Sequence, residues 1–130
     1  MNNPDWTDKT ILIAENEKIN YLFMKTIFDP TGVNVLWARD GEEAVEWCRD
    51  SCRVDVVIMD IEMSDERRKE AARQIKVLKP DISVIAQTSN TIYLQQNGNS
   101  CMACDGMLCR PFKPFNLLAL VEKHLYGYYA

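Results

Sequence analysis

Polar side chains of several kinds stand where short apolar runs of the sequence end. Glu15 and Asn16 follow the first run, Asp60 closes another, and Thr88 and Arg110 follow two later runs. Because the carboxyl ends of parallel strands meet at one edge of a sheet, we expect these groups to converge there. Carboxylate oxygens suit a magnesium ion, and an aspartate can accept a phosphoryl group. A hydroxyl and a fixed cation could then stabilise the charge on the phosphoryl oxygens.

Each of these residues also has an ordinary structural interpretation. Asp60 could cap a helix that begins after its strand, and Thr88 could simply end a strand. Glu15 and Asn16 could form a loop with a helix N-cap. The spacing of Thr88 from Arg110, and the position of Asp60 after the most apolar run, favour the site interpretation.

Five apolar runs of strand length alternate with segments of helical periodicity. The runs are rich in β-branched residues, which favours strands, and they are nearly continuous, as in strands buried on both faces. This alternation predicts an α/β, doubly wound fold in which helices cover both faces of a parallel sheet. The predicted strands are 10–14, 33–38, 54–59, 82–86 and 107–109.

Helices are predicted where apolar residues recur every three or four positions, over 18–28, from 41 onward, over 67–78 and over 115–125. Segment 90–105 has poor helix propensity and no apolar stripe, so its element is expected to be short or irregular. The predicted inward faces are Ile19, Leu22, Phe23 and Ile27 in the first helix, Ala44, Val45, Trp47 and Cys48 in the second, and Ala71, Ala72, Ile75 and Leu78 in the third.

The composition of the 130 residues is that of one globular domain, with 47% hydrophobic and 26% charged residues. The formal net charge of −4 argues against direct nucleic-acid binding, which needs a basic face. The sequence has no apolar run of membrane-spanning length and no visible secretory signal, so the expected location is cytoplasmic.

The five cysteines are expected to be reduced thiols, because their number is odd and no secretory signal is visible. Cys101 and Cys104 have the spacing of a redox pair or of half a zinc site, which remains an alternative. His124, near the end of the last helix, is expected to be exposed and to interact with the helix carboxyl terminus. The five are Cys48, Cys52, Cys101, Cys104 and Cys109.

From about Lys9 to Leu125 the chain resembles the receiver domain of the two-component response-regulator family. The resemblance is carried by the stretches Ile11-Leu12-Ile13-Ala14-Glu15-Asn16-Glu17, Ala38-Arg39-Asp40-Gly41-Glu42-Glu43-Ala44-Val45, Met59-Asp60-Ile61-Glu62-Met63, Val84-Ile85-Ala86-Gln87-Thr88-Ser89 and Arg110-Pro111-Phe112. The sequence around Asn20-Tyr21 and Leu36-Trp37-Ala38 is similar to receivers attached to hybrid sensor histidine kinases. The resemblance implies a (βα)5 flavodoxin-like fold, with the strand order 2-1-3-4-5.

The resemblance also implies a role for each site residue. Asp60 would accept the phosphoryl group. Glu15, Asn16, Asp60 and the backbone carbonyl of Glu62 would hold magnesium. Thr88 would be the switch hydroxyl and Arg110 would occupy the position of the family's lysine, while Met107 stands at the position of the switch aromatic residue.

Several of these positions depart from the family pattern. Asn16 replaces an acid, so the predicted magnesium site loses one negative charge and should be weaker. Arg110 is a longer, planar cation than lysine, and could bind a phosphoryl group or hold Asp60 before one arrives. Arg68 replaces the glycine of a turn, so either the loop over Ser64–Arg68 takes another path or the next helix begins earlier.

Three functions remain open from the sequence. The first is a receiver that takes a phosphoryl group on Asp60 from a histidine kinase or a histidine phosphotransfer domain, with magnesium, and changes its surface in response. The second is an atypical pseudo-receiver that acts as a phosphorylation-independent interaction module. The third is a flavodoxin-like flavin binder, which Glu15 and Glu17 oppose by placing negative charge where a phosphate would lie.

The domain is predicted to be a receiver module rather than an enzyme, over residues 9–126. Residues 1–8 would be a lead-in or linker, from which Trp6 could pack on the domain, and 127–130 a tail. Both a stand-alone receiver and a piece of a hybrid histidine kinase fit the chain. Weak homodimerisation is a further option; direct nucleic-acid and membrane contacts are not expected.

Overall fold

The computed structural model describes residues 4–50, 53–61, 66–88 and 104–127. Within them, five strands, β1 to β5, are Thr10–Ala14, Asn34–Ala38, Val56–Asp60, Ser83–Thr88 and Gly106–Cys109. They pair in parallel in the order β2-β1-β3-β4-β5. The predicted fold class and strand order are therefore confirmed.

Four α-helices are described, and the first continues into a 3₁₀ turn over Asp29–Thr31. The third helix ends two residues before Pro80, as expected for a residue that disfavours helical geometry in its predecessor. Strand β4 runs to Thr88, two residues further than the apolar run predicts, because its backbone pairing continues on both sides. The helices are α1 Lys18–Phe28, α2 Gly41–Asp50, α3 Glu66–Leu78 and α4 Pro114–Tyr126.

Two cores lie on opposite faces of the sheet, because successive side chains of a strand point to opposite faces. Helices α1 and α4 cover one face and helices α2 and α3 cover the other. The α1/α4-side core contains Trp6, Ile11, Ile13, Tyr21, Met24, Phe28, Val33, Val56, Ile58, Ile85, Leu108, Leu117 and Val121. The α2/α3-side core includes Leu12, Ala14, Ala44, Cys48, Val57, Met59, Ala71, Ala72, Ile75, Val84 and Ala86.

The predicted inward face of α1 is wrong for Ile19, Leu22 and Phe23, while Ile27 is partly buried against the α1/α4-side core. Tyr21, Met24 and Phe28 are the buried residues of this helix. Leu22 and Phe23 are exposed, and Ile19 is 79% exposed. Two sets of apolar residues on this helix have helical spacing. The set that packs on the sheet is Tyr21, Met24 and Phe28. An apolar surface is left facing outward.

Two further inward predictions are wrong. Leu78 is exposed at the end of α3, where the helix runs past the edge of the core. Trp47 on α2 is 37% exposed, while its neighbours Val45 and Cys48 are buried. The remaining predicted inward residues of these two helices lie in the α2/α3-side core.

Trp6 packs into the domain ahead of the first strand. It is 1% exposed, its backbone N–H donates to the carbonyl of Thr31 at 2.9 Å, and its ring lies 6.4 Å from that of Phe28. Gly32 allows this approach, because its φ is +76° and an added Cβ would lie 2.6 Å from Thr7 Cγ2. The residues before β1 therefore contribute a large side chain to the α1/α4-side core.

Helix α3 begins at Glu66, so residue 68 has helical backbone. Of the two alternatives given for Arg68 at the turn-glycine position, the structure therefore has the one in which the helix begins earlier in the chain. The preceding loop residues, and the predicted irregular element up to residue 103, lie outside the described residues. In the part of the chain that is described, no helix combines the length and apolar character needed to cross a bilayer.

The expectation of reduced thiols is wrong for Cys104, which is disulfide-bonded. A zinc half-site that needs a Cys104 thiolate is not compatible with this bond. Cys48 and Cys109 carry free thiols. Burial raises the pKa of the Cys48 thiol to about 11, so this thiol is protonated at neutral pH.

Replacing Trp6 with alanine should lower the free energy of unfolding by about 3–5 kcal/mol, because it removes a large, fully buried ring. Urea unfolding followed by circular dichroism measures this loss. The matched control is Trp47→Ala, which removes a partly exposed ring and should cost about 1 kcal/mol. Equal losses for the two variants would contradict the packing of Trp6.

Candidate functional site

The site is built by strand alternation at the carboxyl edge of the sheet. Ile13, Ile58, Ile85 and Leu108 all point into the α1/α4-side core. Because side chains alternate with period two, the residue two positions after each of them lies on the same side. Those residues are Glu15, Asp60, Gln87 and Arg110.

The register of the strands places these residues beside one another. Ile13 aligns with Ile58, and Asp60 aligns with Gln87. The backbone N–H of the next residue, Ile61, donates to the Gln87 carbonyl at 2.7 Å. Two carboxylates, one amide and one guanidinium therefore meet above the α1/α4-side core.

Glu15 is fully buried and is held by several hydrogen bonds. Its Oε1 accepts from the backbone N–H of Glu17 at 3.1 Å and from the side-chain amide of Asn20 at 3.5 Å. Its backbone carbonyl accepts from Trp37 Nε1 at 2.7 Å. The Trp37 ring in turn stacks on Tyr21, with 4.5 Å between ring centroids. The loop after β1 is thus tied to α1 and β2.

Arg110 brings a cation to both carboxylates. Its Nη2 lies 2.8 Å from Asp60 Oδ1 and 3.6 Å from Glu15 Oε2. Its Nε donates to Gln87 Oε1 at 3.3 Å. Nη2 is buried and makes no aligned hydrogen bond, so charge attraction is what links it to the carboxylates. Gln87 fixes one side of the guanidinium plane and leaves the other directed at the acids.

Burial raises the pKa of Glu15 above its ordinary value of 4.5. The hydrogen bond from Glu17 opposes this shift, the charge of Asp60 adds to it, and Asn20 and Arg110 oppose it further. Desolvation is the largest cause, because the carboxylate loses water that these partners only partly replace.

Of the residues predicted for the site, Glu15, Asp60 and Arg110 come together. Asn16 is exposed and lines a separate polar cavity of about 690 Å³ between α2 and α3. Met107 packs against the α2/α3-side core. Thr88 is fully buried one position after Gln87, and its carbonyl accepts from the Arg110 backbone N–H at 2.8 Å. Glu62 lies outside the described residues.

Gln87 and Trp37 were missed by the sequence analysis. Gln87 is a polar residue with 1% exposure, near the end of an apolar strand. Counting in steps of two from Ile85 would have found it. Trp37 contacts the site through its indole N–H, and no sequence signal specifies that contact.

The carboxylates of Glu15 and Asp60 are oxygen donors of the kind that magnesium prefers. Both face the Arg110 guanidinium, so a metal would share its ligands with a resident cation. Among the described residues, no group of three or more His, Cys, Asp or Glu side chains forms a metal site. The donor set therefore fits magnesium in type and falls short of the expected number of acids.

Beside the site, an apolar cavity of about 430 Å³ opens to the surface. It connects the Arg110 side chain with the exposed apolar surface of α1. Phe23 and Phe112 form one wall, with their ring centroids 6.1 Å apart. Its other lining residues include Asn20, Met24 and Gln87.

The sequence matches the family model described as the response regulator receiver domain over residues 11–122. It is 33% identical over 127 residues to transcription factor SKN7 of Chaetomium thermophilum, covering 92% of this chain and 16% of that protein. It is 31% identical over 77 residues to the autoinducer 1 sensor kinase/phosphatase LuxN of Vibrio campbellii, covering 59% of this chain and 9% of that protein.

Among solved structures, the chain is similar to the receiver domain of sensor histidine kinase PA1611 from Pseudomonas aeruginosa. The TM-score is 0.75 with 24% identity, covering 90% of this chain and 97% of that one. That structure has a magnesium ion coordinated in its active-site cleft. The chain thus spans nearly all of a solved receiver and less than a fifth of the two curated relatives.

The raised pKa of Glu15 predicts a pH dependence of stability. The folded state binds this proton more tightly than the unfolded state, so the stabilisation is fully present below pH 4.5 and is lost as the pH rises through the raised value. We therefore compare the free energy of unfolding of the natural chain with that of Glu15→Gln. The difference, natural chain minus variant, should fall between about pH 4 and pH 8. Urea unfolding at a series of pH values measures it. A difference that rises with pH would mean that the attraction of Arg110 outweighs desolvation.

Proposed function

The chain belongs to the response regulator receiver domain family of two-component signalling, and we propose that it accepts a phosphoryl group on Asp60. In the proposed step, an Asp60 carboxylate oxygen attacks the phosphorus of a phosphohistidine. The new O–P bond forms an acyl phosphate, the P–N bond breaks, and the imidazole leaves with the electron pair of that bond. The phosphoryl group is then held at the carboxyl edge of the sheet.

One observation carries the proposal: Asp60 ends the central strand β3 in contact with Arg110, and Arg110 lines a cavity that opens outward. The Asp60 side chain is only 8% exposed, so a donor must dock against the surface to reach it. Arg110 offers a planar guanidinium that can pair with phosphoryl oxygens as they gain charge.

The other site residues support this role in defined ways. We propose Glu15, Asp60 and the Glu62 carbonyl as the magnesium ligands, with Asn16 contributing less than an acid would. When bound, magnesium would neutralise charge on the phosphoryl oxygens. Thr88 is proposed as the hydroxyl that responds to the phosphoryl group. Met107, at the aromatic switch position, would transmit less of the change.

A histidine kinase or a histidine phosphotransfer domain is the proposed partner. The outward face of α1 supports this choice, since Ile19, Leu22 and Phe23 form an exposed apolar surface next to the cavity. Exposed apolar patches of this kind are typical of interaction sites. A partner helix packed there would place its histidine near the opening beside Arg110.

We propose a cytoplasmic setting and a signalling module without a catalytic cycle of its own. The similarity to LuxN, a sensor kinase/phosphatase, supports a link to a hybrid histidine kinase. The net charge of −4 supports a protein partner rather than nucleic acid.

A second candidate is the atypical pseudo-receiver, which acts through protein contacts without phosphorylation. The ion pair between Arg110 and Asp60 favours it, since the acceptor carboxylate is engaged before a phosphoryl group arrives. The exposure of Asn16 favours it as well, because the pocket lacks a second acid from that position.

Incubation with a small phosphoryl donor, such as phosphoramidate, and magnesium should add one phosphoryl group to the natural chain. Intact-mass spectrometry measures the adduct. Asp60→Asn should reduce it to background, since an amide is not a competent acceptor. The matched control is Asp81→Asn, which changes an exposed carboxylate and should keep the adduct.

An adduct that survives Asp60→Asn would overturn the assignment of the acceptor. If the natural chain forms no adduct while it remains folded by circular dichroism, the pseudo-receiver function is supported instead.

A further inference from the structure

The guanidinium of Arg110 is anchored at three places. It faces Asp60 at 2.8 Å and Glu15 at 3.6 Å through Nη2, and it donates from Nε to Gln87 at 3.3 Å. The Arg110 side chain is 26% exposed, while the Glu15 side chain it faces is fully buried. The cation thus reaches inward from the end of β5 to groups that have little access to water.

This anchoring depends on the shape of arginine. A guanidinium is planar and always charged, and it presents donors in several directions at once. Gln87 therefore holds Nε while Nη2 stays directed at the carboxylates. The side-chain amide of Gln87 is itself held in place, because its Nε2 donates to Met24 Sδ at 3.5 Å. A lysine ammonium at the same position would have no second point of attachment of this kind.

The local charge leaves little room for a second cation. Glu15 and Asp60 supply two negative charges at most, and Arg110 supplies one positive charge. Asn16 adds no charge and is exposed. A divalent ion that binds the same two carboxylates would bring the group to a net positive charge, which is unfavourable at this degree of burial.

We infer that Arg110 is a built-in cation that competes with divalent metal for the carboxylates of Glu15 and Asp60, and that Gln87 positions it to do so. Metal binding requires the guanidinium to move away from Asp60. Without metal, the Arg110 side chain occupies the site, and a metal ion must displace it from the carboxylates in order to bind. This inference rests on the proposed function for the use of the site, but the competition exists whether or not Asp60 is phosphorylated.

Magnesium titration at constant ionic strength tests the inference. Isothermal titration calorimetry gives the Kd, and the NMR signal of the Trp37 indole N–H, bonded to the Glu15 carbonyl, reports binding at the site. Arg110→Lys and Arg110→Gln should each lower the Kd for magnesium by about tenfold or more, because both release the carboxylates from the anchored guanidinium.

The matched control is Arg73→Lys, which makes the same exchange on the exposed face of α3, where Arg73 pairs with Glu70. It should leave the Kd unchanged. Gln87→Met removes the anchor of Arg110 while keeping the side-chain length, and should lower the Kd in the natural background. The same change should have no effect in the Arg110→Lys background, which a merely structural role for Gln87 would not predict.

Kd values for Arg110→Lys and Arg110→Gln within about twofold of the natural chain would overturn the inference. Absence of magnesium binding by all of these folded proteins would overturn it too. These outcomes are distinguishable from failure of the proposed function. If Asp60 forms the phosphoryl adduct but the Kd values for magnesium are unchanged, the competition between Arg110 and the metal is overturned and the proposed function stands. If the Arg110 variants have lower Kd values for magnesium but the natural chain forms no phosphoryl adduct, the proposed function is overturned and the competition is supported.

Discussion

Two acidic side chains buried at one edge of the sheet require a cation, and Arg110 supplies it. Glu15 is fully buried and Asp60 is nearly so. At the observed 2.8 Å, the attraction between Arg110 and Asp60 is about 6 kcal/mol for an effective dielectric constant of about 20. Desolvation of the charges costs several kcal/mol per ion, so the net stabilisation is small. The loss of one partner is costly all the same, because it leaves an uncompensated buried charge.

The sheet is built to hold this group together. The last strand residues that point into the α1/α4-side core are Ile13, Ile58, Ile85 and Leu108. Each is followed two positions later by a polar member of the site. Hydrogen bonds from Glu17 and Trp37 then fix the loop after β1. On this face of the sheet, apolar core side chains thus lie directly beneath the polar side chains of the site. The low polarity beneath the site strengthens the interactions among its charged side chains, and it makes those interactions sensitive to a single substitution.

The outward apolar face of α1 is the second consequence of this packing. Tyr21, Met24 and Phe28 are used to bury the helix against the sheet. Ile19, Leu22 and Phe23 are therefore left on the surface, and Phe23 lines the cavity beside Arg110 together with Phe112. Apolar side chains kept at the mouth of a charged pocket are more useful for partner recognition than for stability.

Much of the fold follows from local sequence. The five apolar runs and the helical spacings predict the elements to within a few residues, because strand and helix periods differ clearly. Side-chain direction on the helices follows less well. Two apolar stripes compete on α1, and the sheet selects one by shape. Leu78 has the right period and is exposed, because α3 extends past the core. The disulfide at Cys104 depends on proximity, which cysteine spacing alone does not give.

The sequence by itself determined which polar residues end the strands, since an apolar run must stop where the chain leaves the sheet. It determined the family as well, through the residues around Asp60. Only the tertiary structure decided which of these residues meet. Glu15, Gln87 and Arg110 join Asp60 because alternation and strand register place them on one side, while Asn16, adjacent in the chain, points elsewhere. The reach of the Arg110 guanidinium to both acids is likewise a matter of three-dimensional distance, and no pattern in one dimension specifies it.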